Sequence, residues 1–92
     1  MMEIKGLFFK KTCAACPEQY DVFKDGEQVG YVRLRDSELR VDIPRCGDLT
    51  IMHNDLPWDD TDASGGEFSG DARIEWLQRV ADAINSHGGK NA

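Results

Sequence analysis

Long apolar runs are missing from this chain of 92 residues. No stretch approaches the roughly 20 residues that cross a bilayer, and the apolar centre of the opening MMEIKGLFFKK is too short for a secretory leader. The expectation is a cytosolic protein with no membrane partner. Cysteine is scarce and odd in number, so Cys13, Cys16 and Cys46 cannot all close into disulfides, and reduced thiols agree with a cytosolic address. The catalytic signatures are missing too. There is no nucleophile elbow, no glycine loop for phosphate and no paired histidine–carboxylate motif, and His53 and His87 stand alone in the sequence. A binding protein without a cofactor is expected rather than an enzyme.

Basic residues are lacking in one half. Up to Gly47 there are eight Lys or Arg against eight Asp or Glu, whereas from Asp48 onward three face nine. The net charge of −6 therefore arises entirely in the second half. Such an excess disfavours direct binding to duplex DNA or to an anionic membrane, and favours a basic partner or a cation. What is present, 40% hydrophobic and 30% charged residues, suffices for one modest core. A single domain over 1–92 is expected, without internal repeats or low-complexity tracts.

The patterning predicts an α+β fold, an antiparallel meander of about four to five short strands over 4–53 with one C-terminal amphipathic helix packed on one face. Ile4–Lys11 reads as a first strand between lysines, and the segment around Pro17 as a connection. Asp25-Gly26 joins strands over 19–24 and 28–35 as a hairpin. On the second of these, Gly30, Val32 and Leu34 share one side and Val29, Tyr31, Arg33 and Arg35 the other. Glu38–Ile43 alternates most cleanly, with Leu39, Val41 and Ile43 on one side. After Pro44 and the turn Cys46-Gly47-Asp48, Leu49–His53 gives the last strand. Ser69 or Asp71 is expected to cap a helix over 72–87, whose stripe is Ile74, Leu77, Ala81 and Ile84, widened by Trp76 and Val80. Gly88-Gly89 is expected to end it.

Between sheet and helix, residues 54–71 read as a long acidic surface loop without Lys or Arg. Loops of more than about 15 residues in so small a domain are commonly functional. Asp55, Asp59, Asp60, Asp62 and Glu67, with Trp58 as an aromatic anchor, form the candidate partner-binding set, since spaced carboxylates can occupy a basic channel meant for phosphates. Arg33 and Arg35, on one strand face, are candidates to add contacts to RNA or to an acidic patch.

Two metal alternatives remain beside it. Cys13, Cys16 and Cys46 with His53 or His87 could make a zinc site, although the second cysteine pair of a zinc ribbon is not there. Asp60, Asp62, Ser64 and Asp71, with Gly65 at the sixth position, match a calcium loop except for Glu67 at the eighth, the short Asp71 at the twelfth and Pro57 before it. The pair Cys13/Cys16 also has the spacing of a redox motif, but Pro17 and a strand follow it instead of a helix.

The blocks CPEQYDVF (16–23), DGEQVGYVRLR (25–35) and LRVDIPRCG (39–47), with the terminal amphipathic helix, resemble a family of short phage- and prophage-encoded proteins without an assigned enzymatic activity. Members of that family carry a double glycine where this chain has Gly47-Asp48. The resemblance implies a phage context in a bacterial cytosol. Small acidic phage proteins resemble host-takeover factors, including anti-CRISPR proteins that stop a CRISPR surveillance complex from binding target DNA. A host protein or ribonucleoprotein with a basic surface is then the expected partner. No functional residue carries over from the resemblance.

Overall fold

The computed structural model describes residues 1–13 and 17–89. Six antiparallel strands lie side by side in chain order: β1 (Met2–Ile4), β2 (Leu7–Lys11), β3 (Glu18–Lys24), β4 (Glu27–Arg35), β5 (Glu38–Ile43) and β6 (Leu49–Asp55). A helix, α1 (Gly70–Gly89), covers one face of this sheet. The α+β meander with a single C-terminal helix is therefore as the patterning predicts.

The strand count differs because the first predicted strand is really a hairpin. Lys5 and Gly6 take φ of 52° and 82°, the left-handed pair that closes a two-residue turn in the hand of the sheet's own twist. Asp25-Gly26 and Asp36-Ser37 repeat that geometry, the latter without a glycine. β6 also runs two residues past the expected His53, to Asp55.

The inward sheet face carries Leu7, Phe9, Tyr20, Val22, Val32, Leu34, Leu39 and Val41, all buried. Phe9 and Tyr20 meet edge to face with centroids 6.0 Å apart. Against them α1 lays Ala72, Trp76, Leu77, Val80, Ala81 and Ile84. Gly30 lets the helix approach closely, since a Cβ there would fall 2.7 Å from Ile84 Cδ1. Ile74 is not part of this stripe: it is 46% exposed, on the outer flank of an arc whose inward place is taken by Trp76. The helix also starts before the expected Ala72. Ser69 does not cap it through its side chain, because that hydroxyl donates to the Asp59 carbonyl, 2.9 Å away, and Asp71 lies inside the first turn.

Residues 54–71 are not one irregular loop. After β6 come a 3-10 turn at Trp58–Asp60, β7 (Thr61–Asp62), a second 3-10 turn at Ala63–Gly65, and β8 (Glu67–Phe68), which pairs with β7. Leu56 and Phe68 are buried and anchor the segment to the core. Among the described residues no helix is long and apolar enough to cross a membrane.

Candidate interaction surface

Glu18 fixes the geometry of the site. It is fully buried at the start of β3, and Arg73 of α1 grips it with two bonds, Nε to Oε2 at 2.8 Å and Nη2 to Oε1 at 3.1 Å. The Phe68 N–H donates to Oε1 at 3.0 Å and the Tyr20 hydroxyl to Oε2. Burial alone would raise the Glu18 pKa, but the hydrogen bonds from Arg73, Tyr20 and Phe68, with the Arg73 charge, hold it below the usual carboxylate value. Burial, with Glu18 beside it, pushes the Tyr20 hydroxyl up. One carboxylate thus ties sheet, helix and the connecting segment together. Nothing local in the sequence points to this residue, for a Glu placed 55 positions from its Arg leaves no signature.

The segment is held along its length by main-chain bonds. Leu56 N–H donates to Ser37 O (2.8 Å), Ser37 N–H to Gly65 O (2.9 Å), Glu18 N–H to Gly66 O (2.7 Å) and Ser69 N–H to Asp60 O (2.8 Å). Ala63, Ser64 and Gly65 all have positive φ, at 51°, 57° and 85°, a strained run kept in place by these anchors.

On this rigid base the predicted residues separate. Trp58 does not tuck into the core: it is 81% exposed. Asp55, Asp59 and Asp62 are exposed around it, with no cation within 4 Å among the described residues. Asp60 is half-buried and accepts the Trp76 indole N–H at 2.9 Å, so its carboxylate is engaged inside the molecule. Glu67 is half-buried, opposite Asp62 in the small hairpin. Arg35 is exposed and borders the strained run across a shallow hollow with Pro17 and Ser64. Arg33 lies farther up β4 on the uncovered sheet face, opposite Arg40. The two arginines therefore join the acidic patch unequally, Arg35 at its margin and Arg33 away from it.

Neither metal set is assembled among the described residues, where no group of three or more His, Cys, Asp or Glu gathers to hold an ion. Cys13 follows β2, Cys46 sits on the turn after β5, and His53 pairs with Glu38 at 3.0 Å, while Cys16 lies outside the described residues. In the calcium alternative, Asp60 is bound to Trp76 and Asp71 belongs to the helix.

The turn after β5 folds over buried Asp42. Burial would raise the Asp42 pKa, but Thr50 Oγ1 (2.7 Å), the Gly47 N–H (2.8 Å) and Arg40 Nε (3.1 Å) outweigh it and lower it. Next to it, burial and the Cys46 thiol push the Tyr31 hydroxyl up. A second concavity, about 340 Å³, lies between the end of α1 and the β3–β4 turn, floored by Leu7, Val29, Ile43 and Ile84 with Lys24 and Glu27 at its rim. Comparison with family models, with curated proteins and with solved structures finds no match to this chain.

Proposed function

We propose that this chain is a small acidic inhibitor of anti-CRISPR type, which docks through Trp58 and the carboxylates of Asp55, Asp59 and Asp62 on a basic nucleic-acid-binding surface of a CRISPR surveillance complex and blocks target DNA. The observation that carries the docking reading is Trp58. An indole that is 81% exposed costs hydration free energy in the free protein, and here it stands on a strand-anchored segment rather than on a floppy loop. A preorganised Trp loses little conformational entropy on binding, which is why such residues dominate interface energetics.

The carboxylates supply direction and speed. With no Lys or Arg from 54 to 71, the field around Trp58 is negative, which steers a basic surface toward it and excludes other anions. Arg35, at the margin, offers one contact of opposite sign to an RNA or acidic element of the partner. The finer assignment, to a CRISPR complex, rests on the resemblance of blocks 16–23, 25–35 and 39–47 to phage-encoded proteins.

The test is a binding titration of the purified protein against a surveillance complex with its guide RNA, read both by capture of the complex and by its retention of target DNA. Trp58→Ala is expected to weaken capture by about 2 kcal/mol or more. The double reversal D59K/D62K should abolish it while circular dichroism stays unchanged. Capture unaffected by both variants overturns the docking surface, and docking without loss of DNA binding overturns the inhibitory role.

A further inference from the structure

The two margins of the sheet are built differently. β1 is three residues long, and the turn after it is clamped to the helix by the Lys5–Asp82 pair at 3.0 Å and by Asn85 donating to the Lys5 carbonyl at 3.1 Å. β6 is seven residues long and pairs only with β5 among the described residues. Every side chain along it is exposed or half-buried, Leu49 at 56%. A long bare margin is a template for another strand, and proteins commonly blunt one with Lys, Pro or a helix laid over it. β6 has no Lys, Arg or Pro.

Its one irregularity falls at Ile51, which the ladder skips between Met52, opposite Val41, and Thr50, opposite Asp42. From Met52 to Leu56 the backbone is regular. Leu56 donates to Ser37, and Asn54 and Met52 share its phase opposite Leu39 and Val41. The N–H and C=O groups of His53 and Asp55 therefore point away from β5, with no backbone partner among the described residues. Three two-fold antiparallel registers would use them. Centring on Asp55 sets like charges against each other and brings Pro57, which has no N–H, opposite His53. Centring on His53 faces the two imidazoles and needs the bulged Ile51 as a partner. Centring on Asn54 pairs His53 with Asp55 twice, opposite in sign when the imidazole is protonated, and sets Met52 beside Leu56.

We propose that β6 pairs with β6 of a second copy of this chain, antiparallel about a two-fold axis at Asn54, making one continuous sheet of two molecules. Charge selects this register. Within its own sheet Asp55 faces Glu38, a like charge, and no cation lies within 4 Å of it among the described residues. His53 of the second copy, whose Nε2 lies 3.0 Å from Glu38 of its own chain, would stand opposite Asp55 and bridge the two carboxylates when protonated. The surface involved shares Asp55 with the proposed docking set but not Trp58, Asp59 or Asp62, and it is read by self-association alone, so the inference does not rest on the proposed function.

Sedimentation equilibrium from about 1 μM to about 1 mM covers weak and moderate association. The expected result is a rise from 10.3 kDa toward twice that mass. His53→Pro removes an outward donor, which an edge strand tolerates, together with the exposed His53–Glu38 pair, so it should give a folded monomer with unchanged circular dichroism. His53→Glu keeps every backbone donor, sets Glu against Asp55 and should weaken association about tenfold or more, whereas H53E/D55K restores it. A protein monomeric throughout the range overturns the proposal. So does a dimer that survives His53→Pro, or a charge exchange that fails to restore association lost in His53→Glu.

Discussion

At the scale of single residues, of the two buried carboxylates among the described residues, Glu18 and Asp42, Glu18 is the more heavily bonded. Its two oxygens receive Arg73 twice, the Phe68 N–H and the Tyr20 hydroxyl, with nothing buried left unsatisfied among the described side chains. A buried carboxylate with this set of donors is tolerated; one stripped of them is not. Arg73→Met is expected to cost about 3–5 kcal/mol in chemical denaturation, because it leaves the buried Glu18 carboxylate uncompensated, and Glu18→Gln less, about 2 kcal/mol, because the Arg73 side chain it orphans is 33% exposed and keeps access to water. The double variant should cost clearly less than the two together, since the second change removes the orphaned charge that the first created. Additive losses would mean that the two side chains act independently. Nothing in the sequence signals this pair, for Glu18 follows Pro17 at a strand start, where a charged residue usually faces water. The aromatic and β-branched residues beside it were legible because burial alternates with period two, and that rule is local.

Among the elements, what could be read from sequence was what neighbouring residues decide. Asp25-Gly26 announces its hairpin, and Glu38–Ile43 shows its faces, because turn chemistry and the pleat act over two to six residues. Lys5-Gly6 hid the first turn inside an aromatic run. The order in 54–71 was hidden more deeply, since it is imposed by Ser37, Glu18 and the core contacts of Leu56 and Phe68 rather than by its own polar composition. The composition of the segment therefore singles out its carboxylates and Trp58 as candidates, but not the fact that Asp60 faces inward to Trp76. Gly65 is the joint between segment and sheet. It has φ +85°, and a Cβ there would lie 2.3 Å from the Ser37 amide nitrogen and 2.9 Å from the Asp36 carbonyl carbon. Backbone atoms cannot yield as a side-chain tip does, so Gly65→Ala is expected to destabilise by at least about 2 kcal/mol and to strip hydrogen-exchange protection from the Ser37 amide. Gly47→Ala is the control. It has nearly the same φ, +87°, but open space around it, and should cost only about 1 kcal/mol.

For the whole molecule these local arrangements set one pH profile. Glu18 and Asp42 both have folded-state pKa values below their ordinary 4.5 and 3.8, so each contributes stability that is fully present above that ordinary value and is lost as pH falls through the lowered one. Tyr20 has the opposite sign: its pKa is raised above 10.0, so its contribution is intact below pH 10.0 and drains away above it, as the unfolded chain ionises first. From these three groups, stability measured by urea denaturation should form a plateau between pH 4.5 and 10.0 and fall on both sides. Glu18→Gln separates the two acid contributions. Without a titrating group at position 18, the acid decline is expected to begin nearer pH 3.8, where Asp42 starts to protonate in the unfolded chain, and to be shallower than in the parent protein. The alkaline limb should shrink as well, because the carboxylate that accepts the Tyr20 hydroxyl and disfavours its ionisation is gone, leaving burial as the main cause of its shift. An acid limb unchanged by Glu18→Gln would place the acid sensitivity elsewhere and remove Glu18 as the carboxylate that joins sheet, segment and helix.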